Sequence, residues 1–332
     1  KRREVMNNML IRFNIKNFLS FSEKEDGKSQ EFSMIAGKVR NKKSHVYDDG
    51  KLKLLKFAAI YGANASGKSN LVKALEHMRR IVLYGLPKGH TDMYCKIDEA
   101  NKEKASYFEV EIMLGEKYYA YGFEVILSQS KFVSEWLVEL TNDNKERLIF
   151  SRDINKGLYK FGTVLHEKGL INKLEVYAED IQEDGSILLL SAMNRNKKTL
   201  YQQYSNAAIF QDVYMWIDEN LDINYPNRPI SDYSYMAKTE NVEKVCKIIS
   251  AFGTGITNFQ MVGVEPEVVL SNLPKQVREN LLADIETRIS EMRNNKKLKG
   301  FGIIMRSARD FFILHINKDE KMECETIKFS HG

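Results

Sequence analysis

Gly62, Gly67, Lys68 and Ser69 stand at the fixed offsets G-x-x-x-x-G-K-S, the most chemically specific spacing in the chain. The glycines let a backbone curl around a polyphosphate, so that successive N–H groups and the positive end of a following helix face the anion. Lys68 adds a mobile cation for the β and γ oxygens, and the Ser69 hydroxyl is placed to ligate the Mg²⁺ that bridges them. Ala63, Asn64, Ala65, Ser66 and Asn70 complete the expected nucleotide-binding stretch. A chance match in a chain of this length arises on the order of one time in a hundred, so a Walker A loop for ATP and Mg²⁺ outweighs a fortuitous Gly-rich turn.

Such a loop must sit between a strand and a helix. Residues 57–61 are a short apolar run suited to a buried parallel strand, and Leu71, Val72, Leu75, Met78, Ile81 and Val82 recur at helical spacing after the loop. Upstream, residues 10–15 alternate like a half-buried strand and residues 31–35 offer another. Downstream, residues 107–112 and 118–125 flank a hairpin turn at 114–117, and strands over 132–140 and 147–151 extend a meander. From about residue 165 the period becomes helical. Phe210, Val213, Trp216 or Ile217, and Leu221 form one stripe; Val242, Val245, Ile248, Ile249 and Phe252 form a second; Val277, Leu281, Ile285, Ile289 and Met292, after Pro274, form a third. Residues 301–305, 311–316 and 324–329 return to strand. The expected architecture is α/β: a P-loop lobe with an antiparallel sheet over 1–160, a helical insertion over 161–299, and the start of a second lobe over 300–332.

Composition narrows the class. The chain has 332 residues, 43% hydrophobic, with no apolar run near the eighteen or so residues of a membrane span. No secretory leader is evident, and Cys95, Cys246 and Cys324 form no paired motif, which fits a reducing cytoplasm. A net charge of +5 on 50 basic and 45 acidic residues permits contact with DNA or RNA without demanding it. The six histidines show no metal-ligand spacing, and His77 in the loop helix reads as a packing residue.

Hydrolysis by a P-loop needs an acidic strand end to hold Mg²⁺ and polarise water. Asp218 and Glu219 follow apolar residues and imitate one, but Val213, Ile217 and Leu221 keep helical spacing there, so this stretch reads as a helix face and no catalytic residue is assigned. The chain begins Lys1-Arg2-Arg3 although Met9 directly precedes the first strand, and it stops just after a strand. The expectation is a fragment whose remaining motifs follow Gly332.

Residues 10–21, 32–38 and 58–70, with weaker matches at 119–125, 135–137 and 254–256, resemble AAA-type ATPases of the abortive-infection class. These are the RloA-like and AbiLi-like proteins, similar to the ATPase AriA of the PARIS anti-phage system and to the ATPase part of OLD nucleases. The resemblance implies an ABC- or SMC-like head in which two copies sandwich ATP, the signature segment of one meeting the P-loop of the other. It implies at least a head-to-head dimer and a TOPRIM-like or other effector partner acting on nucleic acid, since no Glu…Asp-x-Asp nuclease motif is present here. The family's nucleotide-lining turn corresponds to residues 16–21; a basic residue commonly follows its Phe, but Leu19 stands there, leaving Ser20 as the polar candidate. A RecF- or SMC-like DNA clamp is the alternative, disfavoured by the mild charge and the want of a long coiled coil.

Overall fold

In the computed structural model, the described residues are 8–87, 89, 91–141, 145–167, 169–225, 239–253, 255–271, 273–294, 302–306, 311–316 and 322–331. They fall into two compact units, Lys1–Ile223 and Asn224–Gly332.

The first unit is built on a seven-stranded antiparallel sheet. Its strands are β1 (Met9–Lys16), β2 (Gln30–Ser33), β5 (Ser106–Leu114), β6 (Lys117–Ile126), β7 (Lys131–Leu140), β8 (Glu146–Asp153) and β9 (Leu158–Phe161), in the order β2-β1-β5-β6-β7-β8-β9. Alternation in β1 decides which face is buried: Ile11, Phe13 and Ile15 are buried while Arg12, Asn14 and Lys16 stay partly exposed. The expected hairpin forms, with β5 and β6 joined through Gly115 and Glu116 and Leu114 paired with Lys117. A two-stranded ribbon, β3 (Val46–Asp48) with β4 (Lys53–Leu55), leads to the loop.

Helix α1 (Lys68–Tyr84) lays Ala74, Met78, Ile81 and Val82 into the core against Phe13, Ile15, Phe18 and Phe108. Helices α2 (Leu170–Glu179), α3 (Leu189–Met193), α4 (Lys198–Gln203) and α5 (Ala208–Met215) bring side chains into the same core. Phe210, Val213, Trp216, Ile217 and Leu221 are all buried, as the first helical stripe requires. Residues 170–221 therefore share one core with the sheet, and the compact unit closes after Ile223 where a boundary near 160 was expected. A boundary through this core would expose apolar surface on both sides.

Residues 57–61 correct a second expectation. They form no strand: Phe57, Ile60 and Tyr61 are 72%, 47% and 90% exposed, and no strand pairs with them among the described residues. An apolar run becomes a strand only where a neighbouring backbone accepts its hydrogen bonds, and every ladder among the described residues is antiparallel.

The second unit holds a four-stranded antiparallel sheet, β10 (Ile256–Val264), β13 (Met322–His331), β12 (Phe311–Ile316) and β11 (Gly302–Arg306) in that order. Helices α6 (Thr239–Ala251), α7 (Pro266–Ser271) and α8 (Lys275–Asn294) accompany it. Because β10 pairs along β13, residues 256–264 belong with the last strands, so the expected boundary at 299 falls inside this sheet. Val245, Cys246 and Phe259 form a small core, while Ile248 and Phe252 of the expected stripe are 60% and 77% exposed. Val242, Ile289 and Met292 have side chains outside the described set, as does Thr254 entirely. No described helix is long and apolar enough to cross a membrane.

Candidate nucleotide site: the 62–70 loop and the cleft beside it

Residues 62–66 are exposed, and the chain re-enters regular structure at Gly67, the residue before α1. Gly67 has φ +89°, a left-handed conformation, and Ala65 also turns left-handed at φ +63°. The closeness of the loop to itself fixes its glycines. A Cβ on Gly62 would lie 2.8 Å from the Ser66 Oγ, and one on Gly67 would lie 2.8 Å from the Ser20 Oγ. Lys68 folds back over the loop, its Nζ donating to the carbonyl oxygens of Gly62 at 2.8 Å and Ala63 at 2.6 Å and reaching the Ser66 Oγ at 3.4 Å. Ser69 opens the exposed side of the first turn of α1. Asn70 and Leu71 donate their N–H groups to the Gly67 carbonyl at 2.9 and 3.3 Å, leaving the earlier N–H groups to the loop.

Ser20 comes to this loop from fifty residues away. Residues 18–21 make a tight turn closed by paired backbone bonds, Phe18 N–H to Phe21 O at 3.1 Å and Phe21 N–H to Phe18 O at 2.8 Å. Phe18 is fully buried against His77 and Phe108, with ring centroids 5.0 and 5.2 Å away, and this anchors the turn. Ser20 Oγ accepts from Asn70 Nδ2 at 3.0 Å. The expected candidates 62–70 and Ser20 are thus brought together.

A cleft of about 360 Å³ opens beside Ser20 and Asn70, walled by Leu19 on one side and by Asp92, Met93, Tyr94 and Lys96 on the other. Leu19 N–H donates to Met93 O at 2.8 Å, and Asp92 pairs with Lys96 at 3.0 Å. Sequence reasoning did not find the 92–96 wall; no motif marks it, and its one cue is a polar segment following the loop helix.

The imitation acidic motif lies elsewhere. Residues 216–220 continue α5 as a π-helical turn, with Leu221 N–H bonded to Trp216 O at 3.2 Å. Arg79, eleven residues along α1 from Lys68 and hence about 16 Å down the helix axis, donates to Ile217 O at 3.1 Å and to Asp218 O at 2.8 Å. Its Nη2 also contacts the Asp218 carboxylate at 3.2 Å. Asp218 is a structural partner of the helix flank, as its helical spacing predicted. No cluster of three or more potential metal ligands occurs among the described residues.

The residues present fit a magnesium-bound polyphosphate. A Cβ at Gly62 or Gly67 would press on a serine Oγ, an adjacent cation rests on loop carbonyls, and α1 begins directly after the loop. Lys68 and the 62–69 backbone would hold the phosphates, and Ser69 the Mg²⁺.

No curated protein matches the chain. Residues 57–175, about a third of its length, match the family model described as "AAA domain, putative AbiEii toxin, Type IV TA system". That segment begins just before the loop and runs through β5–β9 into α2, and the match supports an AAA/ABC-type ATPase family for the part of the chain that carries the loop.

Proposed function

We propose that this chain is the ATP-binding head of an abortive-infection defence system, in which nucleotide occupancy controls an effector that acts on nucleic acid. The observation that carries the reading is the Lys68 loop set against Ser20 and the 92–96 cleft, the loop and the 92–96 wall falling within the segment, 57–175, that matches a family model described in terms of a toxin–antitoxin system. ATP bound there supplies a phosphoanhydride bond and the charge that Mg²⁺ partly neutralises. Lys68 exchanges loop carbonyls for phosphate oxygens, the N–H groups of 62–69 orient the chain of phosphates, and the cleft receives ribose and base. Asp218 is engaged by Arg79, so the acid that polarises water is assigned to none of the described residues. Two heads pairing around ATP, with each completing the other's site, is the arrangement that agrees with such a half-site; a TOPRIM-like protein is the proposed effector.

Lys68→Ala is expected to abolish Mg-ATP binding measured by calorimetry while leaving the thermal transition nearly in place, because among the described residues the hydrogen bonds of Nζ all go to loop atoms at the surface. Unchanged affinity rejects the loop as the phosphate site. Pairing is read by light scattering: ATP is expected to raise the apparent mass and ADP to leave it unchanged. A steep loss of DNA binding between low and physiological salt would instead favour the clamp reading.

A further inference from the structure

Asn17 is 4% exposed and holds φ +54°, a left-handed conformation that costs a residue with a Cβ unless its side chain is fixed by local hydrogen bonds. Every polar group of its carboxamide is used. Nδ2 donates to the carbonyl oxygens of Asn101 at 2.9 Å and Lys104 at 3.0 Å, and Oδ1 accepts from Cys95 N–H at 3.0 Å. Its main-chain carbonyl accepts from the Ser106 hydroxyl. Two of the three side-chain partners are carbonyls and one is an N–H, so only this orientation of the amide satisfies all three. Asn101 doubles the tether, its Nδ2 donating to Cys95 O at 3.0 Å.

These bonds join the two walls of the cleft. Asn17 lies three residues before Ser20 and two before Leu19, and Cys95 sits between Tyr94 and Lys96. Cys95 is itself fully buried, and two side-chain amides hold it from both sides of its peptide; Leu19 N–H to Met93 O ties the rim, and Met93 and Tyr94 also pack on the core. The phosphate loop rests mainly on α1 and on the Lys68 bonds to its own carbonyls, and meets the Ser20 turn through Asn70 Nδ2. We infer that Asn17 is a positioning residue for the base-and-ribose part of the nucleotide site: it fixes the distance between the Ser20 turn and the 92–96 wall without touching the ligand. The inference rests on the nucleotide reading above.

The test compares Mg-ATP with magnesium-bound inorganic tripolyphosphate, which has the phosphates and neither ribose nor base, on the whole 332-residue chain. Asn17→Asp keeps the shape and the acceptor for Cys95 but turns a carboxylate oxygen on two carbonyls; Asn101→Ala removes only the second tether and is the milder variant should the first not fold. Loss of these bonds is expected to weaken ATP by about tenfold in Asn17→Asp and about threefold in Asn101→Ala, with tripolyphosphate changed by less than about twofold in either. Equal weakening of both ligands, or ATP affinity unchanged in both variants, overturns the inference and leaves the nucleotide reading intact if Lys68→Ala still loses both ligands. A wild-type chain that binds neither ligand overturns the reading itself. Wild-type binding of ATP without measurable tripolyphosphate binding sinks the division between loop and wall on which the inference stands.

Discussion

Gly67 meets two constraints at once. Its φ of +89° excludes ordinary side chains, and its hydrogen faces the Ser20 Oγ where a Cβ would come within 2.8 Å. Gly67→Ala is therefore expected to cost about 1–3 kcal/mol, combining left-handed strain with displacement of the Ser20 turn, read as a lowered denaturant midpoint. Because the shift occurs where the loop enters α1, ATP affinity should fall by more than about tenfold as well; a variant that melts early but binds ATP normally would show that Ser20 and Gly67 are only structural neighbours. Both glycines were legible in the sequence as a motif. The Ser20 contact was legible only as a candidate, because nothing within residues 16–21 states which distant backbone that turn will meet.

Among the elements, the junction of β7 and α3 stakes the most on one side chain. Glu135 is almost fully buried, its carboxylate accepting from the Leu189 N–H at 2.6 Å, the Leu190 N–H at 3.0 Å and the Tyr121 hydroxyl at 3.0 Å. Arg152 beside it donates to the carbonyls of Ile187 and Asp184, each within 2.8 Å, and to that of Ile181. Burial pushes the Glu135 carboxyl above its ordinary value of 4.5, and the N–H groups, Arg152 and Tyr121 pull against it without restoring it. A carboxyl whose folded pKa is raised holds its proton more tightly when folded. Its contribution to stability is thus present at low pH and is lost as pH rises from 4.5 through the raised folded value. Urea midpoints measured across that window should fall for the wild type relative to Glu135→Gln, which cannot titrate; parallel profiles for the two chains would show that folding does not raise the Glu135 carboxyl. Sequence inspection found β7 by its alternation but gave Glu135 no role, since its partners in α3 lie 54 and 55 positions away.

For the whole molecule, the site elements belong to one unit. The sheet β1–β9, the loop, α1 and the 92–96 wall all precede Ile223, and among the described residues the large core draws on none beyond Ile223. A chain ending at Ile223 is expected to unfold in one cooperative transition and to bind Mg-ATP within about threefold of the full chain; a fragment that is unfolded or that loses ATP would show that residues 224–332 complete the site. The sequence by itself marked the glycine–lysine motif at 62–69 and determined the strand–turn–strand meander and the helical stripe at 210–221, because each depends on neighbours a few residues apart: turn chemistry, alternation and the 3.6-residue period. Tertiary structure alone decided which parts share a core and which stay apart. It paired 256–264 with 322–331, left Phe57, Ile60 and Tyr61 exposed despite their apolar run, engaged Asp218 with Arg79, and joined Asn17 to Cys95, Asn101 and Lys104. Local pattern shows that a segment wants burial or a polar group wants a partner. Which distant backbone supplies it is fixed only when the chain closes on itself, because hydrogen-bond geometry and close packing are properties of positions in space.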